Sequence, residues 1–125
     1  MSALNGVYVD TDKTIYVRAG DSGSVTIGGI PTDENYKVSL GVYNPLNKEI
    51  IAETTEHSQN TDEVTLSIST DMTETIGVGR YYYAIKLSVG DNEQTVLPKA
   101  QLDDDNKLFI PNAPIFIVKP KMVEG

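Results

Sequence analysis

Apolar and polar residues alternate with a period of two along three segments of this chain. Over residues 36–43, Tyr36, Val38, Leu40 and Val42 are apolar or aromatic, and Lys37, Ser39 and Gly41 between them are small or polar. Over 63–69, Val64, Leu66 and Ile68 face one way and Thr65, Ser67 and Ser69 the other. Over 81–89, Tyr81, Tyr83, Ile85, Leu87 and Val89 alternate with Tyr82, Ala84, Lys86 and Ser88. Successive side chains of an extended strand point to opposite faces, so each segment predicts a half-buried antiparallel strand with one face on a core.

Shorter segments fill the gaps. Residues 14–18 and 24–28 alternate on either side of the turn-forming Ala19-Gly20-Asp21-Ser22-Gly23. Residues 48–55 follow Asn44-Pro45-Leu46-Asn47, and 93–97 follow Gly90-Asp91-Asn92, so each predicts the return strand of a hairpin. A last strand is expected over 114–119, where the continuous apolar run Ile115 to Val118 hides which side faces inward. Pro98, Pro111, Pro114 and Pro120 bracket elements rather than interrupt them. The one helical segment is 70–76, a single turn that Thr70 with Thr73 or Glu74 would cap. Residues 99–107 lack an apolar pattern and predict a solvated loop. Seven or eight short strands about ten residues apart predict an all-β chain, an Ig-like antiparallel β-sandwich with at most that one helical turn.

Composition supports this and narrows the chemistry. The 125 residues include 12 Val, 11 Ile and 12 Thr against 8 Leu and 6 Ala, a bias towards strands. With no Cys the chain has no disulfide, no thiolate nucleophile and no Cys-based zinc site, and one His excludes multi-His metal sites. A formal charge of −8 repels phosphate backbones and anionic membranes, so neither nucleic acid nor membrane is an expected partner. The N-terminus lacks a basic segment followed by a long apolar run, and no apolar run reaches the ~20 residues of a membrane span. Synthesis in a cytoplasm is therefore expected.

No constellation of catalytic residues stands out, and neither a cofactor nor an enzymatic role is expected. His57 lies in the polar run Glu56-His57-Ser58-Gln59-Asn60, where its neighbour Ser58 points away from it in extended chain. Asp103-Asp104-Asp105-Asn106 and Asp10-Thr11-Asp12 carry oxygen ligands of the kind Ca²⁺ takes, without EF-hand spacing. They read first as turn chemistry, with a Ca²⁺ bridging both segments as the alternative. Gly77-Val78-Gly79-Arg80 lacks the Lys and Ser/Thr of a phosphate loop, and its glycines suit a sharp turn into the next strand. In Tyr81-Tyr82-Tyr83 the alternation sends Tyr81 and Tyr83 inward and leaves Tyr82 on the outer face, available for contact.

Gly79-Arg80-Tyr81-Tyr82-Tyr83-Ala84-Ile85 resembles the G-x-Y-x-C of immunoglobulin-type sandwiches, with Tyr83 at the Cys position. The resemblance implies that Tyr81 is a tyrosine-corner residue whose hydroxyl bonds to backbone just upstream. More widely, IYVRAGD (15–21), the stretch from Leu66 to Pro98 and FIVKPKMVEG (116–125) resemble Ig-like modules of tailed-phage virion proteins. Such modules occur in baseplate upper proteins, head-fibre proteins and capsid decoration proteins. That likeness implies a non-catalytic structural protein of a bacteriophage virion, attached to other virion proteins of the capsid, tail or baseplate and open to homo-oligomerisation. It divides the chain into an N-terminal segment (1–13) suited to attachment, a sandwich (14–121) and a C-terminal tail (122–125). The expected partner-binding residues are Val7, Tyr8 and Val9, with no clear partner strand, the outer-face Tyr82, and Val118, Met122 and Val123 near the other end. On this reading, removing residues 1–9 leaves a folded domain that no longer enters particles. The alternative is a carbohydrate-binding or cell-surface adhesion module, with Tyr8, Tyr16 and Tyr82 as its exposed aromatics.

Overall fold

A computed structural model describes residues 6–47, 49–97, 101–102, 104–105, 108–109 and 114–120. The elements in chain order are β1 (Tyr8–Val9), β2 (Ile15–Arg18), β3 (Gly23–Ile27), β4 (Lys37–Tyr43), β5 (Ile50–His57), β6 (Val64–Ile68), α1 (Thr70–Ile76), β7 (Gly79–Val89), β8 (Asn92–Leu97), β9 (Gln101–Leu102), β10 (Leu108–Phe109) and β11 (Ile115–Lys119). Eight of these strands have four residues or more. They form an all-β, sandwich-like fold, as the alternation predicts. One layer is a seven-stranded sheet in the order β1-β2-β11-β7-β4-β5, with β8 also on β7, and the other is the β3–β6 pair.

The large sheet is mixed, which corrects the wholly antiparallel expectation. β2 and β11 run parallel, Ile15 beside Phe116 and Val17 beside Val118. A parallel pair needs a long connection, and here everything from β3 to β10 lies between the two strands. The eleven-residue β7 organises the sheet. Its start pairs with β11, its end with β8, and residues 82–88 with β4 on the other side.

One-sided burial explains why these segments are strands. Val38, Leu40 and Val42 of β4, Val64, Leu66 and Ile68 of β6, and Tyr83, Ile85 and Leu87 of β7 all join one core with Val25, Ile15 and Val17. Phe116 and Val118 face that core from β11, which settles the facing of its apolar run. Tyr81 packs against the same core, and its hydroxyl donates to the carbonyl of Ile76 at 2.8 Å, as the tyrosine-corner resemblance implies. Gly77 (φ 81°) ends the helix, and a side chain on Gly79 would meet the Tyr81 hydroxyl at 3.1 Å, so both glycines serve the turn into β7.

Three further details differ from the expectations. The helix is capped by Ser69, whose side chain accepts from the Met72 amide, rather than by Thr70. Thr73 is instead fully buried, its hydroxyl receiving the Gly20 amide and bonding to the Asp21 and Thr70 carbonyls, which fastens α1 to the β2–β3 turn. Within residues 99–107 lies β9, which pairs with β10 just beyond, so this stretch is not solely loop. Finally, the N-terminal stretch has a partner strand: Tyr8 pairs with Tyr16 and Val9 with Ile15. Val7 is in the core, and the Gly6 amide donates to the Ser22 carbonyl. Residues 6–13 are thus built into the sandwich, and a cut after Val9 removes a core side chain.

Candidate functional site

The outer face of the large sheet collects side chains that are far apart in sequence. Tyr8 of β1 stands beside Tyr16 of β2, which stands beside Ile117 of β11, which stands beside Arg80 of β7. One step along the strands, Ile115, Tyr82, Tyr43 and Ile50 form a second row across β11, β7, β4 and β5. The ladder shifts register between Val42 and Tyr43, which sets Ile50 opposite Tyr43. Together the rows make a tyrosine and isoleucine stripe across all six strands of the sheet path.

The rings are paired rather than scattered. Tyr8 and Tyr16 have centroids 6.0 Å apart at 38°, and Tyr43 and Tyr82 are 5.9 Å apart at 41°. Both lie in the tilted range of favourable aromatic contacts. Tyr16, Tyr43 and Tyr82 are half-buried, whereas Tyr8 and Ile50 remain 62% and 60% exposed. Burial, and secondarily the neighbouring Tyr82, raises the Tyr43 phenol above its ordinary pKa. Below Tyr43, the small residues Gly41 and Ala84 leave a shallow depression of about 300 Å³, edged by Ile50, Glu53 and Lys86.

Cations flank the stripe. Arg18, Lys119 and Arg80 are exposed at one end of it, on the adjacent strands β2, β11 and β7, and Lys119 is directly beside Arg18. Among the described residues the one ion pair is Lys86 with Glu93, at 2.9 Å on the same face. The outer face therefore carries Arg18, Lys37, Arg80, Lys86 and Lys119 against Glu53 and Glu93, on a chain whose total charge is −8.

The expected contact residues divide sharply. Tyr8 and Tyr82 lie on this face, while Val9 lies on the opposite side of β1, at the rim of the core. Val7 and Val118 are buried in the core, so their side chains are not available to a partner. Met122 and Val123 lie outside the described residues. His57 is exposed at the end of β5. The carboxylates of Asp10 and Asp12 accept the Thr11 and Thr14 amides in the β1–β2 turn, and the Thr14 bonds hold the Asp12 carboxyl below its usual pKa. Asp104 and Asp105 are exposed in a turn, and Asp103 and Asn106 lie outside the described residues. Among the described residues, no group of three or more His, Cys, Asp or Glu is placed to hold a metal ion, and no helix is long and apolar enough to cross a membrane. The expectations did not single out Tyr43, Ile50, Ile115, Ile117 or Arg80 for contact. The signal for Tyr43 was its odd position in 36–43, on the polar side of the alternation. No protein-family model matches this chain, and no curated protein matches it.

Proposed function

We propose that this chain is a non-catalytic structural module of a bacteriophage virion that docks onto capsid, tail or baseplate protein through the tyrosine stripe. The observation that carries the docking role is the row of tyrosines, isoleucines and Arg80 on the outer face. Tyrosine and arginine are enriched where protein interfaces concentrate their binding energy, because they combine large contact area with hydrogen-bonding groups. The virion setting comes from the sequence resemblance to tailed-phage modules. The depression beside Tyr43 supports the alternative of a glycan-binding module.

The test is the Tyr16→Ala/Tyr82→Ala double variant in particles purified from the host that carries the gene. Both side chains are half-buried on the outer face, so the variant is expected to fold and melt cooperatively. Loss of two interface anchors at about 2 kcal/mol each is expected to lower incorporation by well over tenfold. Absence of the unaltered chain from such particles would sink the virion reading. Normal incorporation of the double variant would sink the stripe as its docking surface, and glycan-array binding that depends on Tyr82 would favour the alternative.

A further inference from the structure

The reading of the stripe as a docking face leaves open what it meets first, and charge narrows this. Its cations gather where β2 and β11 end and β7 begins, with Arg18, Lys119 and Arg80 exposed on neighbouring strands. At the far end of β7, beyond Lys37 at the start of β4, the loops have the reverse character. Residues 28–36 lead into β4 and residues 58–63 leave β5, and Lys37 pairs with both His57 and Ser88, so both loops sit beside the far end of β7. The Gln59 amide donates to Asn35 Oδ1 at 2.8 Å, the Ile30 amide to the Asp62 carbonyl at 3.1 Å, and the Ser58 amide to the Tyr36 carbonyl at 2.9 Å. These bonds lock the two loops into one surface that exposes Asp33, Glu34, Asp62 and Glu63, and neither loop contains a Lys or Arg.

We infer that the stripe receives the acidic loop end of a second copy of this chain, in a head-to-tail contact. The loop end offers Arg18, Arg80 and Lys119 four carboxylates on a fixed surface, which a second stripe does not. The contact is heterologous, since different surfaces of the two copies meet. A pair therefore keeps one free stripe, on one copy, and one free loop end, on the other, and the series closes into a ring or extends. An acidic chain at −8 otherwise repels its own copies, so association is confined to this one complementary pair of surfaces.

Sedimentation equilibrium of the full chain tests this with variants that change exposed side chains only. Arg18→Glu/Arg80→Glu inverts the stripe end and Glu34→Lys/Glu63→Lys inverts the loop end. At about 0.5 mM protein and low salt, the wild type is expected to show a mean mass about twofold or more above the 13.6 kDa of one chain, falling towards the monomer as salt screens the contact. Each double variant alone is expected to stay monomeric. Mixed in equal amounts the two inverted surfaces would meet each other, as would the two native ones, so mixing is expected to restore association. A monomeric wild type would overturn the inference. So would association that survives in either variant alone, or variants that fail to associate on mixing. If the wild type is monomeric while Tyr16→Ala/Tyr82→Ala still fails to enter particles, the docking role stands and only self-association falls.

Discussion

Phe116→Ala is expected to cost about 3–5 kcal/mol, a large part of the stability of a domain this size. Phe116 is fully buried in β11, between Ile15 of β2 on one side and Tyr81 of β7 on the other. Its ring meets that of Tyr83 edge-on, with centroids 6.4 Å apart at 76°, the geometry in which a positive ring edge faces a negative ring face. Truncation removes the ring's burial and leaves a cavity. Two flanking ladders hold the β11 backbone in place, so the walls cannot close on the space, which puts the cost at the upper end of the range. Tyr82→Ala is the comparison. It lies on the outer face one residue from Tyr81, keeps the core intact and is expected to cost only about 1 kcal/mol. Urea unfolding of both variants checks this, and equal losses would show that the core is not where the facing of β11 places it.

The facing of Phe116 also shows where sequence reading reaches its limit. β4 and β6 were legible because each has one wet and one dry side, so Val38, Leu40 and Val42, or Val64, Leu66 and Ile68, stand out against polar neighbours. β11 is half-buried on its outer side by the tyrosine stripe, so Ile115 and Ile117 are as apolar as the core residues between them. Alternation vanishes when both faces are covered. The tyrosine corner was legible from a local motif, because the bond from Tyr81 to Ile76 spans only five residues. The stripe was not, because it depends on strand order. Tyr16 meets Ile117 only through the parallel β2–β11 pair, and nothing local in either segment specifies that neighbour. Of the four stripe tyrosines, Tyr8, Tyr16 and Tyr82 were recognisable as exposed aromatics, but their shared face was not. Val7 was misjudged for a related reason. An apolar residue ahead of the first turn reads as a free end until the pairing of the next two residues, Tyr8 and Val9, with β2 is known. Thr73 carries no signal at all, since a threonine in a short helix reads as surface until the β2–β3 turn is placed against it.

The buried hydroxyl of Tyr83 makes stability depend on alkaline pH. The ring is 3% exposed and the hydroxyl donates to the carbonyl of Lys13, seventy positions away in the β1–β2 turn. Lys13 has a left-handed backbone (φ 71°), which a non-glycine residue adopts only when its surroundings fix it, and here its amide donates to Asp10. Tyr83 thereby ties β7 to the first hairpin. Burial first, and then the Asp12 carboxylate, pushes the Tyr83 phenol up to about 12. The unfolded chain releases that proton near pH 10, so between pH 10 and 12 only the folded state holds it. Stability from this group is full below pH 10 and falls as pH rises towards 12, by on the order of 2 kcal/mol. Tyr83→Phe keeps the ring and removes both the bond and the titration. At pH 7 the variant is expected to be less stable by about 1–2 kcal/mol, because the Lys13 carbonyl loses its donor. As pH rises from 10 to 12 the wild type is expected to lose this advantage and the two unfolding curves to converge. Denaturant unfolding across that range measures the difference directly. A gap between the two proteins that stays constant from pH 7 to 12 would mean that the Tyr83 hydroxyl is not held in the core as its bond to Lys13 requires.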